Sequence, residues 1–338
     1  MDSLSQAALG SAVGMAVMGR RTALWKAALL GAALGTLPDL DAFIDHGDPI
    51  RNMTFHRAAS HSLFYLTLLS PALAWLFSRW SGKIELFKRW CLAIWLILIT
   101  HVLLDFMTVY GTQMALPFSD YPFGVGSIFI IDPLYTLPLL FGIVAALLFQ
   151  RTSGLRWNAW GISLSTAYLA WTVVAQWHVE KVTDNYLAQH QWTVEQRLVT
   201  PTAFNTLLWR VLVMTPEGYA EGFYSLLDET PQLNLKSHPR HPELFDAVRG
   251  HWETERIAWF SHGFFKMSEV NGELIITDLR MGQEPFYSFN FVVAERAGEG
   301  WAFVKPRQIA QRPDIEKGLD WIKRRIGGGV IDPPWLVD

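Results

Sequence analysis

The chain has 338 residues, 51% of them hydrophobic, with 16 Trp and 21 Phe; it is long enough for two domains and more apolar than ordinary water-soluble proteins. A formal net charge of -3 comes without the clustered basic footprint that phosphate contacts require, which excludes nucleic acid as a partner. The single cysteine, Cys91, excludes an intramolecular disulfide and a cysteine-rich metal site.

In chain order, MDSLSQAALG has no basic stretch ahead of its apolar part and is not read as a cleavable signal peptide. Residues 3–18 and 22–37 form two short helices separated by Gly19, Arg20 and Arg21. Each falls below the ~20 residues that cross a bilayer unaided. Gly10 with Gly14, and Gly31 with Gly35, have the spacing of closely packed membrane helices; a soluble amphipathic hairpin is the alternative. The runs 62–78, 90–104, 134–150 and 157–177 contain no Asp, Glu, Lys or Arg and read as long membrane helices. Trp75, Trp80, Trp90, Trp157, Trp160, Trp171 and Trp177 lie mostly near their ends, as in an interfacial aromatic belt.

Basic residues collect in alternate connections: Arg20, Arg21 and Lys26; Arg79, Lys83, Lys88 and Arg89; Arg151 and Arg156. The intervening connection 38–61 has only Arg51 and Arg57 among several acids, and 110–132 has no Lys or Arg. The positive-inside rule then places the basic connections in the cytoplasm and the others in the periplasm, with about six crossings, four long and two short. From His178 charged residues recur every few positions. The expected architecture is an α-helical multi-pass membrane domain over 1–180, followed by a smaller, soluble, periplasmic α+β domain over 181–338. The last membrane helix should run on to about Gln189. Strands are expected in NTLLWRVLV from Asn205, GELIITDL from Gly272, FYSFNFVVAER from Phe286 and WAFVK from Trp301. Helices are expected over 242–259 and 313–326, and an irregular tail over 327–338.

The stretch 35–61, GTLPDLDAFIDHGDPIRNMTFHRAASH, sets Asp39, Asp41, Asp45, His46, Asp48, His56 and His61 between apolar segments, where ionisable groups are costly unless they serve a purpose. Pro38 ends the preceding helix and leaves a turn or extended segment; if extended, Asp39 and Asp41 point the same way. His56 and His61 flank the start of the next helix, with Ser60 as its expected N-cap. His101 and Asp105 stand four apart on one helix face. The topology places Asp39, Asp41, His56, His61, His101 and Asp105 at one membrane face, a set of nitrogen and oxygen ligands suited to a divalent metal. Zinc is the first choice, with manganese or iron as alternatives, whereas calcium prefers oxygen alone. Such a metal would turn a bound water into a nucleophile near neutral pH. Arg57 would hold an anionic substrate group, and a carboxylate among Asp39, Asp41 and Asp105 would act as general base. Asp45 and Asp48, beside Gly47 and Pro49, read as turn residues. Asp2 and Gln6 are either outer partners of the centre or an ordinary helix start. His238, His241 and the His251/Glu253 pair are weaker candidates, and no Gly-x-Ser-x-Gly elbow, phosphate loop or dinucleotide fingerprint is present.

MDSLSQAALGSAVG, LLGAALGTLPDLDAF, FHRAASHSLFY and THVLLDFMTVYGTQMALPFS together resemble a bacterial inner-membrane family, the LexA-regulated YdjM-like proteins classed as metal-dependent hydrolases. The resemblance covers roughly residues 1–180, and the C-terminal part looks like the extension carried by one branch. It implies a multi-pass membrane protein with a divalent-metal centre built from Asp39, Asp41, His56, Arg57, His61, His101 and Asp105. Many members carry a Thr-His pair where this chain has Ser5 and Gln6. The His101-x-x-x-Asp105 helix with Thr108 is also similar to the zinc helices of the phospholipase C and single-strand nuclease superfamily, which suggests phosphoester chemistry. The expected activity is hydrolysis of a phosphoester or other ester of a membrane lipid or envelope component, with Asp39, Arg57 and Asp105 as catalytic residues. The alternative is a non-enzymatic envelope protein whose polar cluster staples the helices.

Overall fold

The computed structural model describes residues 1–149, 151–230, 233–310, 314–329 and 331–336. Gln150 and Pro313, expected helix ends, lie outside the described residues, as do Val330, Val337 and Asp338 of the expected tail. A helical N-terminal region is followed by a β-sheet C-terminal region, and the chain divides into two compact units.

The first unit comprises Met1–Ile44, Phe55–Val173 and Ala203–Asn205. Its helices include α1 (Ser3–Met18) and α2 (Leu24–Gly35); α3 (Pro49–Phe55) belongs almost wholly to the other unit. Then come α4 (Leu63–Trp80), α5 (Phe87–Phe106), α6 (Pro133–Phe149) and the first part of α7 (Arg151–Gln189). The long α7 ends at Gln189, where the sequence places its end. Among the described residues, Ile84–Phe106 is long and apolar enough to cross a membrane by itself, and Pro49–His61 with Leu63–Trp80 passes as one pair bent by 53°.

The glycines of α1 and α2 explain how two short helices pack. A Cβ added at Gly31 would lie 2.2 Å from the Gly10 carbonyl oxygen, and one at Gly10 would lie 2.2 Å from that of Gly31. Only hydrogen fits on either helix at the crossing, so the backbones touch. Met15, Met18, Ile94, Ile97, Leu98 and Val102 are buried in the core that this contact brings together. Arg89 at the start of α5 donates to the Val17 carbonyl near the end of α1. At the other end the His101 ring reaches the Gly35 carbonyl that closes α2. The polar face of the unit and its basic turns therefore lie at opposite ends of these helices.

The second unit comprises Asp45–Thr54, Val174–Thr202 and Thr206–Asp338. Its strands are β1 (Gln196–Pro201), β2 (Leu208–Met214), β3 (Gly218–Ser225), β4 (Lys236–Pro239), β5 (Phe265–Val270), β6 (Glu273–Asp278), β7 (Gly282–Gln283), β8 (Phe286–Tyr287), β9 (Asn290–Ala297) and β10 (Gly300–Ile309). They form antiparallel sheets of order β1-β2-β3-β4, β10-β9-β6-β5 and β7-β8. Every residue of β2 is buried. Trp209, Val211 and Val213 pack against Ala175, Val179 and Leu187 of α7, while Leu212 and Met214 meet Phe264, Leu279 and Tyr287. Burial on both faces removes the alternation by which a strand is usually recognised. The helix expected over 242–259 is two, α8 (Pro242–Asp246) and α9 (Trp252–Phe260), because Gly250 takes φ +88 and turns the chain between them. The phenylalanine-rich run from Phe286 is split into β8 and β9. An amphipathic helix, α10 (Ile315–Ile326), follows and buries Trp321. Asp45 is the turn residue expected, accepting from the Gly47 amide, whereas Asp48 caps the start of α3 by accepting from the Arg51 amide.

Adding one methyl at the α1–α2 crossing should open it. Gly31→Ala is expected to lower stability by roughly 1–3 kcal/mol, the usual cost of overpacking. Gly300→Ala, whose methyl would meet only the Ala297 carbonyl at 3.9 Å, should be near neutral. Thermal unfolding of both variants in detergent measures the difference.

Candidate metal centre

Pro38 does end the helical run, but the chain then winds into a 3-10 helix over Pro38–Phe43 and is not extended. At 3.0 residues per turn, side chains two apart diverge by about 240°. Asp39 and Asp41 therefore face different groups. Asp39 turns inward and meets His61 and His101. Asp41 turns toward His56 and Ser60.

The inner group is Asp39, His61, His101 and Asp105, whose donor atoms all lie within 4.8 Å of one another. The Nε2 atoms of His61 and His101 are 3.1 Å apart. Asp105 Oδ2 lies 3.1 Å from the first and 3.4 Å from the second. Asp39 Oδ1 lies 3.4 and 3.5 Å from them. Five of the six separations are thus 3.1–3.5 Å, and a regular tetrahedron with such edges has its centre about 1.9–2.1 Å from each corner, close to the length of a zinc bond to imidazole nitrogen or carboxylate oxygen.

Hydrogen bonding on the far side of each ligand decides what the near side offers. His101 Nδ1 lies 2.6 Å from the Gly35 carbonyl, which can only accept, so the ring carries a proton there and turns Nε2 toward the centre. His61 Nδ1 lies 2.9 Å from Ser60 Oγ. The Ser60 hydroxyl gives its own proton to Asp41 in a short hydrogen bond, so Nδ1 donates and Nε2 again faces the centre. Asp105 Oδ1 accepts from Gln6 Nε2 at 3.0 Å and from the Met1 nitrogen, and lies 3.3 Å from Arg57. Asp105 Oδ2, fully buried, has no hydrogen-bond partner. The Nε2 atoms of two imidazoles and two carboxylate oxygens thus face one another, the donor set of a metal site with its ligands held from behind. The residues present fit a divalent cation.

Asp41 and His56 stand outside that group. His56 Nδ1 is 2.7 Å from Asp41 Oδ1, the Arg57 backbone N–H donates to Asp41 Oδ2 at 3.0 Å, and His56 packs edge-on against Tyr110. Burial opposes ionisation of Asp41, but hydrogen bonds from His56, His61 and Ser60 outweigh it and hold the carboxyl well below its ordinary range. Arg57 is buried, with φ +61, its guanidinium over the Tyr110 ring and NH1 donating to Thr108 Oγ1 at 3.1 Å. The helix cap is Ser62, which accepts from the Tyr65 amide, and not Ser60. Asp2 caps α1, whereas Gln6 bonds both Asp105 and the His101 carbonyl. His238, His241 and His251 are not in the cluster. Two contributors carried no signal in the sequence: the Gly35 carbonyl, because any residue has one, and Tyr110, because a loop brings it to Arg57.

The YdjM inner membrane protein family matches over residues 1–179, a segment that contains every one of these groups. The chain belongs to that family. Membership supports an inner-membrane location. The chain is also similar to the "Uncharacterized protein YfhP" of Bacillus subtilis (strain 168), 24% identical over 231 residues, which cover 66% of this chain and 68% of the relative. No solved structure matches.

The depressed Asp41 carboxyl has a consequence for acid stability. A carboxyl lowered in the folded state contributes stability that is fully present above its unfolded value of ~3.9 and is lost as pH falls through the lower folded value. Acid unfolding of metal-free protein, followed by circular dichroism, should therefore steepen below pH ~4. Asp41→Asn should flatten that limb of the curve; an unchanged slope would show that the carboxyl contributes nothing.

Proposed function

We infer that this YdjM-family chain is a multi-pass, membrane-bound, metal-dependent hydrolase whose centre faces the periplasm. The observation that carries the reading is the convergence of donor atoms from Asp39, His61, His101 and Asp105 within 4.8 Å of one another, with Asp39 alone reaching the surface. Its side chain is 18% exposed, against 0% for the other three. A site approached from one side at one carboxylate suits chemistry on an incoming molecule.

In this reading zinc is the metal, with manganese or iron as alternatives, held by Asp39, His61, His101 and Asp105. When bound, the metal supplies Lewis-acid activation of a water toward hydroxide. Asp39, at the open side, is placed to take the proton of that water as general base. Asp105 is fixed through Oδ1 by Gln6 and Arg57, so its Oδ2 stays aimed at the centre. The Arg57 guanidinium is anchored on Thr108 and Asp105, and its buried Nε has no hydrogen-bond partner. An anionic substrate oxygen would satisfy that donor. The 3-10 helix that carries Asp39 also exposes Leu40 and Phe43, apolar surface suited to a membrane lipid or an envelope-derived ester. Orientation is supported by Arg20, Arg21, Lys26, Lys83, Lys88 and Arg89, which sit in the turns and first helical residues at the end of α1, α2 and α5 away from the centre.

One observation favours a second reading. Four protein donors fill a tetrahedral shell, as in structural zinc sites, and a non-enzymatic protein stapled by its metal would look the same.

Elemental analysis of purified protein separates these readings from a metal-free polar cap. About one metal per chain is expected, lost in Asp39→Ala and His101→Ala. On chelation, a hydrolase should lose turnover on a panel of phosphoester and acyl-ester lipids while its helices stay folded. A stapled structural protein should unfold as the metal leaves. Full metal content in both variants would sink the reading of one shared centre.

A further inference from the structure

We propose that Ser60 and Asp41 form a positioning arm for the centre: they set the tautomer and ring angle of His61, and Asp41 acts on the metal through His61 and not as a ligand. This rests on the reading of Asp39, His61, His101 and Asp105 as a metal site.

Three features support it. First, the two ring nitrogens of His61 have different company. Nε2 faces His101, Asp39 and Asp105, while Nδ1 lies 2.9 Å from Ser60 Oγ and 3.5 Å from Asp41 Oδ2. A carboxylate on the Nδ1 edge of an imidazole lies across the ring from a cation on its Nε2 edge. Second, Asp41 is already engaged at both oxygens. Oδ1 takes the His56 ring, and Oδ2 takes the Arg57 amide and the Ser60 hydroxyl. Third, the backbone is bent to make this arrangement. Arg57 takes φ +61, in the left-handed region that side chains other than glycine rarely enter, and its amide donates to Asp41. Strain of that kind persists only where surrounding contacts over-determine it. The chain from carboxylate through serine to imidazole is a longer version of the carboxylate–histidine pairs that orient metal ligands elsewhere.

The experiment is a titration of the purified, full-length, detergent-solubilised protein with Zn²⁺ and, separately, with Co²⁺ read by its visible absorption. Ser60→Ala, Ser60→Thr, Asp41→Asn and the ligand variant Asp39→Ala are compared with the unaltered protein. Ser60→Ala and Asp41→Asn should each still saturate with the same stoichiometry, with metal affinity weaker by roughly 10- to 100-fold, the usual effect of removing an outer partner. Their Co²⁺ absorption should keep the intensity of the parent, because no donor is lost. Ser60→Thr keeps the hydroxyl and should restore most of the affinity. Asp39→Ala should change the intensity and shape of the Co²⁺ spectrum. The proposal is overturned if Asp41→Asn alters that spectrum as Asp39→Ala does, since Asp41 would then be a ligand. It is equally overturned if affinity in Ser60→Ala and Asp41→Asn stays at the parent value. Failure of the parent protein itself to bind either metal would overturn the metal reading and this proposal together, an outcome distinct from the other two. Should Asp41→Asn fail to fold, the Ser60 pair decides alone, because neither serine change removes a charge.

Discussion

The arrangement on which the helical unit turns is the meeting of two imidazole nitrogens and two carboxylate oxygens around one buried point. His61 and His101 turn Nδ1 outward, to Ser60 and to the Gly35 carbonyl, and Asp105 spends one oxygen on Gln6. What remains is directed at a common point. Nitrogens and carboxylate oxygens 3.1–3.5 Å apart in a buried setting are tolerable where positive charge, a proton or a cation, sits among them. The outward bonds matter as much as the inward atoms, because they choose which nitrogen and which oxygen face the centre.

Bringing these atoms together takes several elements, and the close contact of α1 and α2 is what allows it. With no side chain at Gly10 or Gly31, the two helices touch along their backbones. The end of α2 then reaches His101 of α5, and the start of α1 brings Gln6 to Asp105. A helix pair held apart by larger residues would leave His101 Nδ1 without its carbonyl. The 3-10 turn after Pro38 completes the set by sending Asp39 one way and Asp41 the other. Membrane helices often use small residues for close packing; here the packing also fixes the proton on a histidine.

Much of this was legible before any coordinates. Helical runs announce themselves by length and by the absence of charge, and α1 begins and ends at Ser3 and Met18 as the sequence indicates. Position within a run was legible too: His101 and Asp105 had to share a face, since four residues make about one helical turn. The β region was less readable. β1, β3, β4, β5 and β7 have no counterpart among the expected strands, and β2 is expected only from its composition, because burial on both faces erases the period-two pattern. Gly250 gave no warning that it would split a helix, since an isolated glycine is tolerated in many helices.

The sequence by itself determined that a cluster of His and Asp would gather at the polar ends of apolar helices, because ionisable side chains cannot be scattered through an apolar run without cost. It also determined, through those motifs, membership of the YdjM family. Only the tertiary structure divided the candidates, placing Asp39, His61, His101 and Asp105 around one point and setting Asp41 and His56 behind them. The reason is geometric. Whether two nearby carboxylates aim together depends on the turn between them, and which nitrogen of a histidine faces the centre depends on a partner distant in sequence. Neither is written in the spacing of the residues.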